Sequence, residues 1–102
     1  MDIKSKVVDN VLYIMLKGEL DECTASFTRN YLDECFLNSS FSNVVLELSE
    51  LDFMDSTGIG VLLGRYKKLK SKNKSIYISN PSATIEKIFK MSGIYTIMPK
   101  IS

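Results

Sequence analysis

Ser56 is the residue whose surroundings carry the most chemistry. It stands in the run Phe53-Met54-Asp55-Ser56-Thr57-Gly58-Ile59-Gly60, where an apolar, β-branched segment has given way to helical spacing. A serine at such a boundary can serve simply as an N-cap, its oxygen accepting from an orphan N–H of the first helical turn. Carboxylates lie on both sides in sequence: Glu19, Asp21 and Glu22 in one loop, Glu50, Asp52 and Asp55 in another. Asp21, Asp52 and Asp55 together would offer the hard oxygen ligands that suit magnesium. The plainer alternative is solvated loop charge with Asp21 as a helix cap. The chain has no histidine, which removes Ser-His-Asp and Cys-His nucleophilic sites, and its two cysteines cannot complete an all-cysteine zinc site.

Two periodic segments must position Ser56. Val44, Val45, Leu46 and Leu48 have the composition of a buried strand, and a polar loop follows them. Ile59, Leu62, Leu63, Tyr66 and Leu69 then recur at helical spacing and mark the stripe expected to face the core. Thr57, Gly60, Val61, Gly64 and Lys68 fall on the other side, a nearly flat surface with one valine. Gly58 and Gly60 each cost a helix roughly 1 kcal/mol against alanine, and no Glu or Gln at position 59 completes a capping box from Ser56. Such a departure from local propensity fits a surface that another molecule approaches closely. Neutral drift is the other explanation.

The earlier chain supplies the second loop. Residues 7–16 read as two strands meeting at the turn-forming pair Asp9-Asn10, the second of them inside the sheet because it is apolar on both faces. Gly18 to Asp21 end it. Residues 22–39 form a helix whose core stripe is Ala25, Leu32, Cys35 and Phe36, with Phe27 and Tyr31 beside it over the sheet margin. If that helix is a crossover between parallel strands, strands 11–16 and 44–48 end at one sheet edge. The acidic loops then become neighbours, with Ser56 at the edge where α/β sheets place their sites.

The rest follows from similar signals. Arg65, Lys67, Lys68, Lys70, Lys72 and Lys74 form a basic run that suits a helix C-terminus, which Asn73 helps to end. Ser75 to Ser79 is a strand, Asn80-Pro81 supplies N-cap and N1 for a last helix with Ile85, Ile88 and Phe89 inward, Gly93 caps its end, and Ile94 to Met98 is a terminal edge strand. The predicted fold is a single α/β domain over 1–102, β-β-α-β-α-β-α-β, with a mostly parallel mixed sheet, an N-terminal β-hairpin and helices packed on it. At 102 residues with 45% hydrophobic composition the chain supports one core. No apolar run approaches the roughly 20 residues that span a bilayer, so a cytoplasmic location with free thiols at Cys23 and Cys35 is expected, Cys35 in the core. A net charge of +1 gives no reason to expect nucleic acid or an anionic membrane as partner.

The run FMDSTGIGVLLGRYKKLK, with GELD at 18–21 and MSG at 91–93, resembles the STAS domain family, and within it the anti-sigma factor antagonists. The resemblance covers nearly the whole chain. It implies a regulatory protein, itself no enzyme and without cofactor, that binds an anti-sigma factor with serine kinase activity and so releases a sigma factor. It implies Ser56 as the phosphorylated residue, a serine phosphatase that reverses the modification, and a monomer when free. Carried over by position, Asp21, Asp55, Thr57, Gly58, Ile59 and Gly60 form the docking surface, Ile59 being the member that the helical spacing turns inward. Family members often carry a further C-terminal helix beyond the point corresponding to Ser102. Two other readings stay open. A magnesium-dependent phosphoacceptor of the response-regulator kind lacks here the acidic pair after the first strand and the lysine on the last. A scaffold or small-ligand-binding STAS unit usually belongs to a longer chain, whereas this one is expected to stand alone from Met1.

Overall fold

Asp9 and Asn10 adopt left-handed backbone angles, φ 49° and 69°. A two-residue turn of that hand matches the twist of the strands it joins, so β1 (Asp2–Val8) folds back antiparallel on β2 (Val11–Leu20), with Val8 opposite Val11. The computed structural model describes residues 1–102. β2 continues beyond the expected end at Leu16. It bends at a register shift between Gly18 and Glu19, where Gly18 has φ 116°, and its last residues pair with a different strand from its first.

The helix α1 (Ala25–Asn38) carries the chain to β3 (Asn43–Glu47), which lies parallel to β2. β5 (Ser75–Ser79) lies parallel to β3, giving the order β1-β2-β3-β5. β2 is therefore interior, as expected. Leu12, Val44 and Ile76 form one row across the sheet and Ile14, Leu46 and Ile78 the next. All six are buried, and they meet Leu32 of α1, Leu62 and Leu69 of α2 (Ser56–Lys70), and Ile85 and Phe89 of α3 (Ala83–Ser92) in one core. Each such aliphatic side chain contributes about 1.5–3 kcal/mol by leaving water. The opposite face of β2 is more open, with Tyr13 38% exposed.

Several expectations need correction. The loop between β3 and α2 contains β4 (Leu51–Met54), parallel to the end of β2. Leu51 and Met54 are buried while Asp52 and Phe53 are exposed, so the strand shows no period-two alternation to reveal it. The terminal edge strand is absent. Gly93, at φ 72°, does end α3, but Thr96 turns its hydroxyl back to the Gly93 carbonyl at 2.8 Å and Ile94–Thr96 wind into a 3₁₀ turn. The edge beside β5 is met instead by residues 99–101, through Ile78 N–H to Pro99 O and Ile101 N–H to Ile78 O, both 2.8 Å. The observed order is thus β-β-α-β-β-α-β-α. Ser82, and not Asn80, caps α3: its oxygen accepts from Ile85 N–H at 3.4 Å while its hydroxyl donates to Leu51 O at 2.7 Å.

On α1, Ala25 and Leu32 are buried but Cys35 and Phe36 only half-buried, and Thr28 joins the buried face because its hydroxyl is satisfied locally by Thr24 O at 2.9 Å. Both cysteines are free thiols. Tyr31 is half-buried, while Phe27 stays 54% exposed against its ring.

The buried face of α2 is rotated from the expected stripe. Gly58, Val61, Leu62, Arg65 and Leu69 are buried, whereas Ile59, Leu63 and Tyr66 are half-buried at the margin of the core. Val61, expected outside, is 3% exposed. The cause is α1, which packs beside α2 and is tied to it by Asp33: Arg65 Nε lies 3.0 Å from one carboxylate oxygen and Lys68 Nζ 3.1 Å from the other. Burial lowers the Arg65 pKa, and Asp33 opposes that shift by favouring the charged form.

Candidate functional site

β2, β3 and β4 run parallel, so their carboxyl ends share one edge of the sheet. The two acidic loops are neighbours there, as the crossover argument requires. Gly18 N–H donates to Glu50 O at 3.1 Å, and Asp55 N–H donates to Leu20 O at 3.3 Å. One carboxylate completes the junction. Asp55 Oδ1 accepts from Gly58 N–H at 2.9 Å and Oδ2 from Glu22 N–H at 3.3 Å. Asp55 is therefore the N-cap of α2. Ser56, the alternative cap, is instead the first helical residue, exposed and free of the capping role.

The docking candidates separate into three kinds. Thr57 and Gly60 are exposed, and a Cβ built on Gly60 or on half-buried Gly64 meets nothing within 4 Å. These positions form a bare strip along α2. Gly58 does not belong to that strip: it is buried, and a Cβ there would lie 2.3 Å from Leu20 O and 2.7 Å from Met54 Cγ. Its missing side chain lets the helix start lie against β2, a contact that a helical wheel cannot show. Ile59 is half-buried and packs on the core, in keeping with its inward spacing.

Asp21 and Asp55 are half-buried and committed to backbone amides. Asp21 Oδ1 accepts from Cys23 N–H at 2.9 Å and Thr24 N–H at 3.2 Å, folding the turn before α1, although Thr24 occupies the N-cap position of that helix. Glu19, Glu22, Glu50 and Asp52 are exposed, so the acidic rim is built largely from them. The structure gathers no group of three or more His, Cys, Asp or Glu able to hold a metal ion, so Asp21, Asp52 and Asp55 do not form the three-carboxylate cluster of the magnesium reading. Phe53, two residues before Asp55 and 42% exposed, adds an aromatic surface that the sequence did not single out. Its only signal is an apolar residue on a strand that itself went unrecognised.

The displaced ionisations lie elsewhere. Glu47 is half-buried; burial raises its pKa, but hydrogen bonds from Ser49 and Asn80 outweigh this and hold it below the usual range. The Tyr95 hydroxyl, donated to Glu86 at 2.8 Å, keeps Glu86 low while burial and that carboxylate hold Tyr95 high. These groups fasten the ends of β3 and α3.

The STAS domain family model matches residues 2–102. An anti-sigma F factor antagonist of Paenibacillus polymyxa is 38% identical over 89 residues, which cover 87% of this chain and 76% of that protein. Among solved structures, the anti-sigma factor antagonist SpoIIAA in its unphosphorylated form superposes with a TM-score of 0.81 at 27% identity, over 99% of this chain and 89% of that one. The phosphorylated form of the Bacillus cell fate determinant SpoIIAA gives a TM-score of 0.73 at 27% identity, over 99% and 92% of the two chains. With the family model spanning nearly every residue and a relative this similar, the chain belongs to the STAS domain family and, within it, to the anti-sigma factor antagonists.

Proposed function

We propose that this chain is a partner-switching antagonist whose unmodified form binds an anti-sigma factor with serine kinase activity, displaces the sigma factor, and is switched off by phosphorylation of Ser56. The observation that carries the reading is the state of Ser56: an exposed first residue of α2 whose capping task has been taken by Asp55. A kinase reaches such a hydroxyl without unfolding the helix. The bare strip of Thr57, Gly60 and Gly64, beside the acidic rim and Phe53, supplies the surface on which the partner lies. Asp21 and Asp55 shape that surface, and Ile59 and Gly58 support it from below. In this scheme the chain catalyses nothing, uses no cofactor and works as a cytoplasmic monomer over 1–102; the partner uses ATP, and a serine phosphatase restores the unmodified form. No helix is long and apolar enough to cross a membrane.

Ser56→Ala removes an exposed side chain that holds no cap, so its stability should stay within about 0.5 kcal/mol of wild type. The variant should bind the anti-sigma factor and take up no phosphate. Mass spectrometry after incubation with that kinase and ATP checks this; full incorporation in the alanine variant would move the acceptor elsewhere, with Thr57 the first place to look.

Gly60→Leu separates stability from docking. Open space surrounds the added Cβ, and replacing glycine in the helix favours it by up to about 1 kcal/mol. The melting temperature should hold or rise while the bulk of leucine blocks the partner. Wild-type affinity in a folded Gly60→Leu chain would place the docking surface off this strip.

A further inference from the structure

Asp55 binds the two loops of the site into one piece. It is half-buried, its two carboxylate oxygens are occupied by Gly58 N–H and Glu22 N–H, its own N–H donates to Leu20 O, and its carbonyl accepts from Ile59 N–H at 3.1 Å. One residue thus ties together the end of β2, the turn before α1 and the first turn of α2. Ser56 is the next residue along the chain. Its hydroxyl takes its position from a backbone that Asp55 holds on both sides.

We propose that Asp55 is a positioning residue for the phosphorylation of Ser56: it acts through the placement of the helix start, and not as a charge that the partner reads. This rests on the assignment of Ser56 as acceptor. The exposed carboxylates Glu19, Glu22, Glu50 and Asp52 are free to meet a partner. Asp55 differs in having both oxygens turned to amides of its own chain, which fixes its geometry.

Two substitutions divide position from charge. Asp55→Asn keeps an oxygen to accept from Gly58 N–H, an N-cap about as good as aspartate, but removes the charge and sets an amide donor against Glu22 N–H, so it tests the cap on the helix start without the charge. Asp55→Glu keeps the charge and moves it one methylene away from the capping position. If Asp55 positions Ser56, phosphorylation of Asp55→Asn by the anti-sigma kinase with ATP stays within about threefold of wild type, and Asp55→Glu and Asp55→Ala fall by roughly 10- to 100-fold in kcat/KM, the scale of a displaced reacting atom. Amide hydrogen exchange in the free protein gives an arm that needs no kinase. The Gly58 amide keeps its protection in Asp55→Asn and loses it in Asp55→Ala, with all variants shown to be folded by circular dichroism.

The opposite ranking, with Asp55→Glu near wild type and Asp55→Asn as poor as alanine, would make Asp55 a recognition charge and overturn the proposal. Equal phosphorylation in all variants, or unchanged Gly58 protection in Asp55→Ala, would overturn it as well. If wild type itself took no phosphate on Ser56 the functional reading would fall first, and the proposal with it; that result is distinguished by the wild-type control alone.

Discussion

Gly58→Ala should destabilise the chain while Gly60→Ala, two residues away in the same helix, should stabilise it. In a helix both substitutions gain up to about 1 kcal/mol from propensity. They part on packing. The Gly58 Cβ would be 2.3 Å from the Leu20 carbonyl, a backbone atom in a paired strand, and within 2.9 Å of Leu20 Cγ. Side chains can move aside, but the carbonyl moves only if β2 and α2 separate. Overpacking of this kind costs about 1–3 kcal/mol, and the backbone obstacle puts Gly58→Ala at the upper end. A net loss of about 2 kcal/mol corresponds to a melting temperature lower by roughly 8–16 °C in a domain of this size. Gly60→Ala should melt at or above wild type. Equal melting of Gly58→Ala and wild type would show that the close approach of helix and strand is not needed.

Phosphorylation of Ser56 should leave the fold nearly unchanged and weaken partner binding about a hundredfold. A phosphate brings about −1.5 to −2 charges to the first turn of α2, where the helix dipole favours them by roughly 0.3–1 kcal/mol. The free chain tolerates the group because Ser56 is exposed. Docking changes the balance. A partner lying over the strip must desolvate the phosphate beside Asp55 and the acidic rim, and neither 18–24 nor 49–57 contains a lysine or arginine to meet it. Desolvation and like-charge repulsion together cost several kcal/mol against a dipole gain near one. A net loss of about 3 kcal/mol is a roughly hundredfold change in affinity. In the free phosphorylated chain, amide chemical shifts should change around residues 18–22 and 52–64. Changes spread through β3 and β5 would indicate a rearrangement of the sheet instead.

Where a structural feature is fixed by local chemistry, the sequence announced it. Asp9-Asn10 made a hairpin because both residues tolerate the left-handed region, and Gly93 ended α3 for the same reason. The parallel crossover placed the acidic loops together because its handedness leaves little choice. Features set by contact between elements were hidden. Apolar periodicity located α2, but its phase was decided by α1, which turned Val61 inward and buried Arg65 against Asp33. A helical wheel sets Gly58 and Gly60 on opposite sides of α2, but it does not reveal that Leu20 O leaves no room for a Cβ at Gly58 while open space surrounds Gly60. Ser56 and Asp55 are both good caps, and the choice between them rests on the Glu22 amide, 33 residues away in sequence. β4 escaped because four residues with two consecutive exposed positions have no alternation to detect.

Isothermal titration of the anti-sigma kinase with unmodified chain, and with chain phosphorylated stoichiometrically at Ser56, reads the switch itself. The unmodified chain should bind, and the phosphorylated chain should bind about a hundredfold more weakly, from two samples with the same melting behaviour. Equal affinities would contradict this, because Ser56 would then be modified without acting as a switch.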